Sequence, residues 1–151
     1  MIAPLAPPCG RFDGPRHSYA VRVYHEDTDA SGVVYHASYL RWFERARSDI
    51  LALLGVDQRA AMDAGEGYYV VSDLAVRYLA PARLGEAITV ETTCEEAGAA
   101  SLRMRQIAYL DGQKLCEATV RVGFIGSGGK PQRQPQSWRD AFAAVVEKRE
   151  V

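Results

Sequence analysis

A single stretch of the chain, residues 39–54 (YLRWFERARSDILALL), has the hydrophobic period of a long amphipathic helix. Its apolar side chains recur three and four residues apart, so they share one helix face and leave the charged side chains opposite. Ser38 is placed to cap the start of this helix and Gly55 to end it. No other helix of this length is predicted, so a sheet with one apolar face has only this helix to pack against. The side chains predicted to lie in that core include Tyr39, Trp42 and Phe43.

Strands are predicted on both sides of this helix, because apolar and polar residues alternate there. One strand, residues 18–24, precedes the helix. The strands predicted after it cover residues 68–80, 86–94, 101–110 and 113–125. Asp111-Gly112 joins the last two and is a strong hairpin signal. The order predicts an α+β fold in which an antiparallel sheet wraps around one long helix, and its open edges favour edge-to-edge dimerisation.

The length of 151 residues fits one folded domain with extensions at its ends. We expect a flexible arm over residues 1–17, a folded domain over 18–136 and a C-terminal helix over 137–151. The arm has four prolines within its first 15 residues and lacks the basic and long apolar regions of a signal peptide. This pattern predicts a cytoplasmic protein.

The charge balance and the cysteines narrow the class of function. A formal net charge of -1 gives the molecule no overall attraction for nucleic acid or anionic membranes. The three cysteines are far apart and show no CxxC spacing, which argues against both a disulfide framework and a zinc site. We therefore expect a reduced protein with no metal, no cofactor and no nucleic-acid partner.

The residues most capable of chemistry lie directly before the long helix. Residues 24–36 contain three carboxylates, at Glu26, Asp27 and Asp29, and two histidines. A helix N-terminus presents unpaired N–H groups, which stabilise the oxyanion that forms when an acyl carbonyl is attacked. A carboxylate just upstream can attack that carbonyl or activate water. Gly32 lets the backbone turn sharply or approach a ligand closely.

Two segments of the sequence resemble a known family. Residues 24–47 (YHEDTDASGVVYHASYLRWFERAR) and 76–85 (VRYLAPARLG) are similar to the 4-hydroxybenzoyl-CoA thioesterase-like branch of the hotdog proteins. Within that branch they are most similar to the bacterial Tol-Pal-associated acyl-CoA thioesterases. The resemblance extends over residues 20–135.

The resemblance implies a hotdog fold and hydrolysis of an acyl-CoA to a free acid and coenzyme A. It implies that Asp29 is the nucleophile or general base, and that His36 orients the substrate or the hydrolytic water. Backbone amides around Tyr35 and His36 would form the oxyanion hole, with Tyr35 and Gly32 next to the substrate. It further implies homodimers or homotetramers with the active sites at the interface, and partners in the Tol-Pal system or in membrane-lipid metabolism.

Other interpretations of these residues stay open. From the residues alone, Asp29 is better explained as a loop or capping carboxylate, and His36 is equally well explained as a structural side chain. Asp27 is expected to hold the loop or a neighbouring cation, and Glu44 is expected to be solvated or to pair with Arg47 three residues later. The alternative functions are a non-catalytic hotdog module that binds acyl-CoA or another protein, and a hotdog dehydratase, whose usual motif differs. The sequence does not predict the length or aromaticity of the acyl group.

Overall fold

The computed structural model of the protein describes residues 1–148. Its helices are α1 (Ser38–Leu53), α2 (Gln58–Asp63) and α3 (Gln136–Ala143), and a short 3₁₀ turn covers His25–Asp27. Its strands are β1 (Arg11–Asp13), β2 (Arg16–Arg22), β3 (Tyr68–Tyr78), β4 (Ala87–Ala97), β5 (Ser101–Leu110) and β6 (Gln113–Ile125). The strands form one antiparallel sheet in the order β1-β2-β4-β5-β6-β3. None of the helices within residues 1–148 is long and apolar enough to cross a membrane.

The sheet wraps around α1, and this contact makes the core. On α1 the predicted core residues Tyr39, Trp42 and Phe43 are all buried. The facing residues of β6 are Cys116, Ala118, Val120, Val122 and Phe124, all buried. Every second residue of β6 therefore points to the helix, as the alternation predicted. The predicted α+β architecture, a sheet around one long helix, is confirmed.

The N-terminal arm is shorter than predicted. Residues 11–17, expected to be flexible, belong to a hairpin in which β1 pairs with β2. The Gly10 amide donates a hydrogen bond to Asp49 Oδ2 on α1, at 3.0 Å. His17 is fully buried with its Nε2 2.6 Å from the same oxygen, and the Phe12 ring packs edge-on against the imidazole. The prolines suggested a chain with little to bury, but Phe12 and His17 alternate with polar residues and cover one end of α1.

The C-terminal helix is also shorter than predicted. It ends at Ala143 instead of continuing to residue 148, and residues 149–151 lie outside the described part of the chain. Beyond the helix, the backbone of Val146 pairs with that of Cys94 in a single parallel β-bridge, and the Glu147 amide donates to the Cys94 carbonyl at 2.9 Å. The β2 strand pairs with β4 only as far as Thr93, so the next position of β4 has a free edge that Val146 occupies. That strand-like pairing replaces the last helical turns.

The predicted end of α1 at Gly55 and the predicted turn at Asp111-Gly112 are confirmed, whereas the predicted cap at Ser38 is not. Gly55 has a φ of +77° just after α1, and Asp111 and Gly112 both have positive φ in the β5–β6 turn. Ser38, the predicted cap, is instead the first residue of α1. Its hydroxyl donates to the Asp27 carbonyl at 3.1 Å, so it anchors the preceding loop to the helix.

The two edges of the sheet differ in length and character. On one side the outermost strand is β1, which has three residues. On the other side it is β3, which has eleven. The β3 side chains Val71 and Leu74 are 50% and 40% exposed. A long edge strand with exposed apolar side chains is a surface that usually pairs with another chain.

Candidate active site

The loop between β2 and α1 is a tight reversal pinned to a second loop. Thr28 bridges to Val34, and the Val34 amide donates to the Ala82 carbonyl at 2.9 Å. At the tip, the Asp29 amide donates to the Val33 carbonyl at 3.0 Å. Gly32, with a φ of +81°, makes the turn back, since glycine adopts that backbone conformation without steric strain. The fold therefore holds Asp29 at a defined, exposed point in front of α1.

The Asp29 side chain is ordered by one neighbour. Its Oδ1 accepts hydrogen bonds from the Ser31 amide at 2.8 Å and from the Ser31 hydroxyl at 2.5 Å. These bonds from Ser31 hold the pKa of the Asp29 carboxyl below its ordinary value. Both bonds reach the same oxygen, so neither uses Oδ2. Asp29 is thus an ionised carboxylate with a fixed orientation.

Asp27, by contrast, is a structural residue. It is buried, and its Oδ2 accepts a hydrogen bond from the Tyr24 amide at 2.8 Å. Its backbone carbonyl accepts from the Tyr35 amide at 2.8 Å and from the Ser38 hydroxyl. The prediction that Asp27 holds the loop is confirmed.

The backbone amides in front of α1 differ in whether they are free to donate a hydrogen bond to a substrate oxygen. The Tyr35 amide, expected to face the substrate, already donates to Asp27. The amides of His36 and Ala37 donate no hydrogen bond to any atom of residues 1–148. They lie at the positive end of a 16-residue helix. The amide pair suited to an oxyanion is therefore shifted by one residue, to His36 and Ala37.

A cluster of aromatic side chains flanks these amides. The exposed rings of Tyr35 and His36 lie 4.4 Å apart, and the Tyr78 ring meets His36 edge-on at 6.2 Å. The Tyr78 hydroxyl donates to the His36 carbonyl at 2.8 Å. Burial raises the pKa of Tyr78, so its hydroxyl keeps its proton. Tyr78 was not among the predicted site residues, although it lies within the matching segment 76–85.

A cavity of about 470 Å³ lies beside α1, between the helix and strands β3, β5 and β6. Most of its polar lining comes from α1, namely Arg41, Glu44, Arg47 and Ser48, and Gln58 of α2 and Tyr69 of β3 add to it. None of the predicted site residues lines it, although it begins at Leu40, in the first turn of the helix. The sequence did not predict this cavity, because its walls belong to five elements, α1, α2, β3, β5 and β6, that meet only in the folded chain.

Glu44 is exposed, which is one of its two expected states, and it does not form the other, an ion pair with Arg47. Within residues 1–148 the Arg47 guanidinium forms no ion pair, and its Nη1 donates to Gln106 Oε1 at 2.8 Å. Burial lowers the pKa of Arg47, and the Glu44 charge opposes that shift. Nor do three or more His, Cys, Asp or Glu side chains converge on a possible metal position anywhere in the described residues.

The sequence model of the thioesterase-like superfamily matches residues 23–146. This range includes the loop with Asp29, the residues that line the cavity and strands β3 to β6. The chain belongs to this superfamily. A relative of similar length, the acyl-CoA thioesterase YbgC of Haemophilus influenzae, is 40% identical over 126 residues, covering 83% of this chain and 93% of the relative.

Solved structures of other thioesterases have the same fold. A probable thioesterase from Bartonella henselae is 34% identical, with a TM-score of 0.76, covering 80% of this chain and 99% of that one. A thioesterase from Thermus thermophilus, solved in complex with coenzyme A and Zn, is 26% identical. Its TM-score is 0.71, and the match covers 87% of this chain and 94% of that one. This member of the thioesterase-like superfamily therefore has the predicted hotdog fold.

Proposed function

We propose that the protein hydrolyses acyl-CoA thioesters to a free carboxylic acid and coenzyme A. The observation that carries this proposal is the ionised, oriented Asp29 in front of a helix that presents the unbonded amides of His36 and Ala37. The 40% identical relative named as an acyl-CoA thioesterase supports the substrate class. A module that only binds acyl-CoA needs neither feature.

In the proposed reaction the thioester carbonyl oxygen accepts hydrogen bonds from the His36 and Ala37 amides. Asp29 takes a proton from a water molecule whose oxygen attacks the carbonyl carbon, and the amides stabilise the resulting oxyanion. When the oxyanion collapses, the carbon–sulfur bond breaks and the coenzyme A thiolate takes up the proton. If Asp29 attacks directly, a mixed anhydride forms first and water then cleaves it. Label from ¹⁸O-water in the Asp29 carboxylate after hydrolysis would establish the anhydride route, since only an anhydride cleaved at its aspartyl carbon leaves the label there.

The remaining predicted site residues have supporting roles in this proposal. The exposed imidazole of His36 and the ring of Tyr35 flank the amides and orient the thioester or the water. Gly32 is next to open space and presents no side chain to an approaching substrate. The hydroxyl of Tyr78 fixes the His36 carbonyl and so holds the peptide that carries the Ala37 amide.

The function is tested with a panel of short, long and aromatic acyl-CoAs and a reagent that detects the released thiol. We expect turnover of at least one class well above the rate without protein. Binding of acyl-CoA with no thiol release from any member of the panel would contradict hydrolysis and favour the binding module.

We also propose that the active unit contains at least two chains, joined along the exposed edge of β3. Sedimentation at micromolar concentration should then show no appreciable monomer. Leu74→Lys on β3 should raise the dimer dissociation constant roughly tenfold or more, because it places a charge on the apolar edge. Leu53→Lys is the matched control, since Leu53 is 42% exposed and Leu74 is 40% exposed, but Leu53 lies on α1. A fully active wild-type monomer would contradict this assembly.

Replacing Ser31 should change the titration of Asp29. Ser31→Ala removes the hydroxyl donor and keeps the amide donor, so we expect the pKa of Asp29 to rise toward its ordinary value. Because the base must be ionised, the acid limb of kcat/KM should move to higher pH. The pKa is measured by NMR titration of the carboxyl carbon, and Ser31→Thr, which keeps a hydroxyl, should restore it. An unchanged pKa in folded Ser31→Ala would exclude this role.

A further inference from the structure

The cavity beside α1 contains the guanidinium group of Arg47, which makes no ion pair within residues 1–148, although the charge of Glu44 in the same cavity acts on it from a greater distance. Arg47 is half-buried, and the single hydrogen bond found for its side chain within residues 1–148 is the one to Gln106. Arginine has five N–H donors, so most of them are available. A partly desolvated cation with unused donors is costly unless something else binds it. The cavity therefore offers a prepared position for an oxygen acceptor.

Gln106 holds that guanidinium in place. Its side chain is fully buried, and its Nε2 donates to the Phe43 carbonyl at 2.9 Å and to Thr92 Oγ1 at 3.0 Å. With both amide protons used, the amide cannot flip, and Oε1 is fixed toward Arg47. Arg47 is thus oriented by a satisfied polar network, which is a different condition from that of a mobile surface arginine.

The remainder of the cavity suits an acyl chain. Its walls are mainly apolar and include Leu102, Met104, Val120 and Val122. A volume of about 470 Å³ lies within the range of sites for small ligands. Such sites combine apolar walls with a few placed polar groups that select and orient the ligand.

The position of Arg47 defines which part of an acyl group it would meet. The cavity begins at Leu40, one turn after the His36 and Ala37 amides, and continues past Arg47 to Leu51 along the same helix. Arg47 is ten residues after Ala37, which is about 15 Å along the axis, and its side chain leans back toward the helix start. An extended chain advances about 1.2 Å per bond, so the guanidinium lies roughly six to ten bonds from the thioester carbon.

We propose that Arg47 is a specificity-determining residue and that the preferred substrates are acyl-CoAs with an oxygen acceptor, a carboxylate or a hydroxyl, at the far end of a medium-length chain. This inference rests on the proposed function, because it assigns the substrate class of that reaction. The oxygen would accept hydrogen bonds from the unused guanidinium donors. A carboxylate would in addition attract the guanidinium by its charge and could accept two parallel hydrogen bonds from it.

The test compares matched acyl-CoAs on the wild-type protein. The plain substrates are hexanoyl-, octanoyl- and decanoyl-CoA, and each is paired with its terminal carboxylate and its terminal alcohol. At one or more lengths, kcat/KM should be roughly 10- to 100-fold higher for an oxygen-bearing substrate than for its plain counterpart. If kcat/KM is higher for the carboxylate alone, the contact with Arg47 is an ion pair. If kcat/KM is also higher for the alcohol, a hydrogen bond is sufficient. Equal or lower values for both at every length overturn the inference.

Arg47→Met keeps the apolar stem and removes the donors, so it should bring the ratio of the paired substrates close to one, whereas Arg47→Lys should keep part of it. If Arg47→Met fails to fold, the wild-type comparison decides. If the plain substrates are hydrolysed but the oxygen-bearing ones are not preferred, this inference fails and the proposed function stands. If no thiol is released from any substrate, the proposed function fails. Calorimetry then measures the Kd of each paired acyl-CoA, and equal Kd values within every pair overturn the role of Arg47.

Discussion

Replacing Asp29 by Asn should slow single-turnover hydrolysis of the best acyl-CoA by roughly 10²–10⁴-fold. The amide keeps the shape of the side chain and can still accept from Ser31, but it can neither take a proton nor form an anhydride. Acyl-CoA affinity should change little, because Asp29 is exposed at a loop tip and outside the cavity that we assign to the acyl chain. Single-turnover kinetics and an affinity measurement on the same protein separate the two effects.

Asp27→Asn is the control for this prediction. Asp27 is two residues away and is buried, and its carboxylate accepts a hydrogen bond from the Tyr24 amide. The substitution should lower the melting temperature more than it lowers the rate per folded molecule. If folded Asp29→Asn hydrolyses its substrate near the wild-type rate, the proposed mechanism is wrong.

Deleting residues 1–15 should destabilise the domain by about 2–4 kcal/mol. The deletion removes β1, the Phe12 ring and the Gly10 amide that donates to Asp49, and it exposes the fully buried imidazole of His17. For a chain of this size the melting temperature should fall by roughly 5–15 °C. Thermal melts followed by circular dichroism measure the change.

The shorter deletion of residues 1–8 is the matched control. It removes three of the four prolines and keeps Gly10 and the hairpin, so the melting temperature should stay within about 2 °C of the wild-type value. Equal melting temperatures for both deletions would mean that the hairpin contributes little to stability.

Features that depend on neighbours in sequence were predictable. The α1 helix follows from a period that persists over four turns, and the β5–β6 hairpin follows from Asp111-Gly112, two residues that tolerate positive φ. The position of Asp29 in the segment before the helix follows from the order of the segments. These elements were correct because their signals are local.

Features that depend on distant partners were not predictable. The sequence suggested only Glu44, within the same helix, as a partner for Arg47, whereas the guanidinium bonds to Gln106, 59 residues away in the sequence. The Tyr35 amide was expected in the oxyanion hole, but it donates to the Asp27 carbonyl, and that contact depends on how the loop closes. Likewise the pairing of Val146 with Cys94 depends on where β2 stops. The spacing of apolar and polar residues along the chain does not indicate which distant residues will meet in the fold.

The strand order has a consequence for how the protein is made. The adjacent strands β4, β5 and β6 pair through short connections, whereas β2 pairs with β4 and β3 pairs with β6 across long stretches of chain. During synthesis β3 therefore leaves the ribosome well before its partner exists. Its apolar residues, Val71 and Leu74 among them, stay unpaired until residues 113–125 emerge. Strand pairings over such distances form slowly and leave apolar segments exposed to aggregation, so the synthesis of residues 79–125 is the interval in which the nascent chain is most vulnerable.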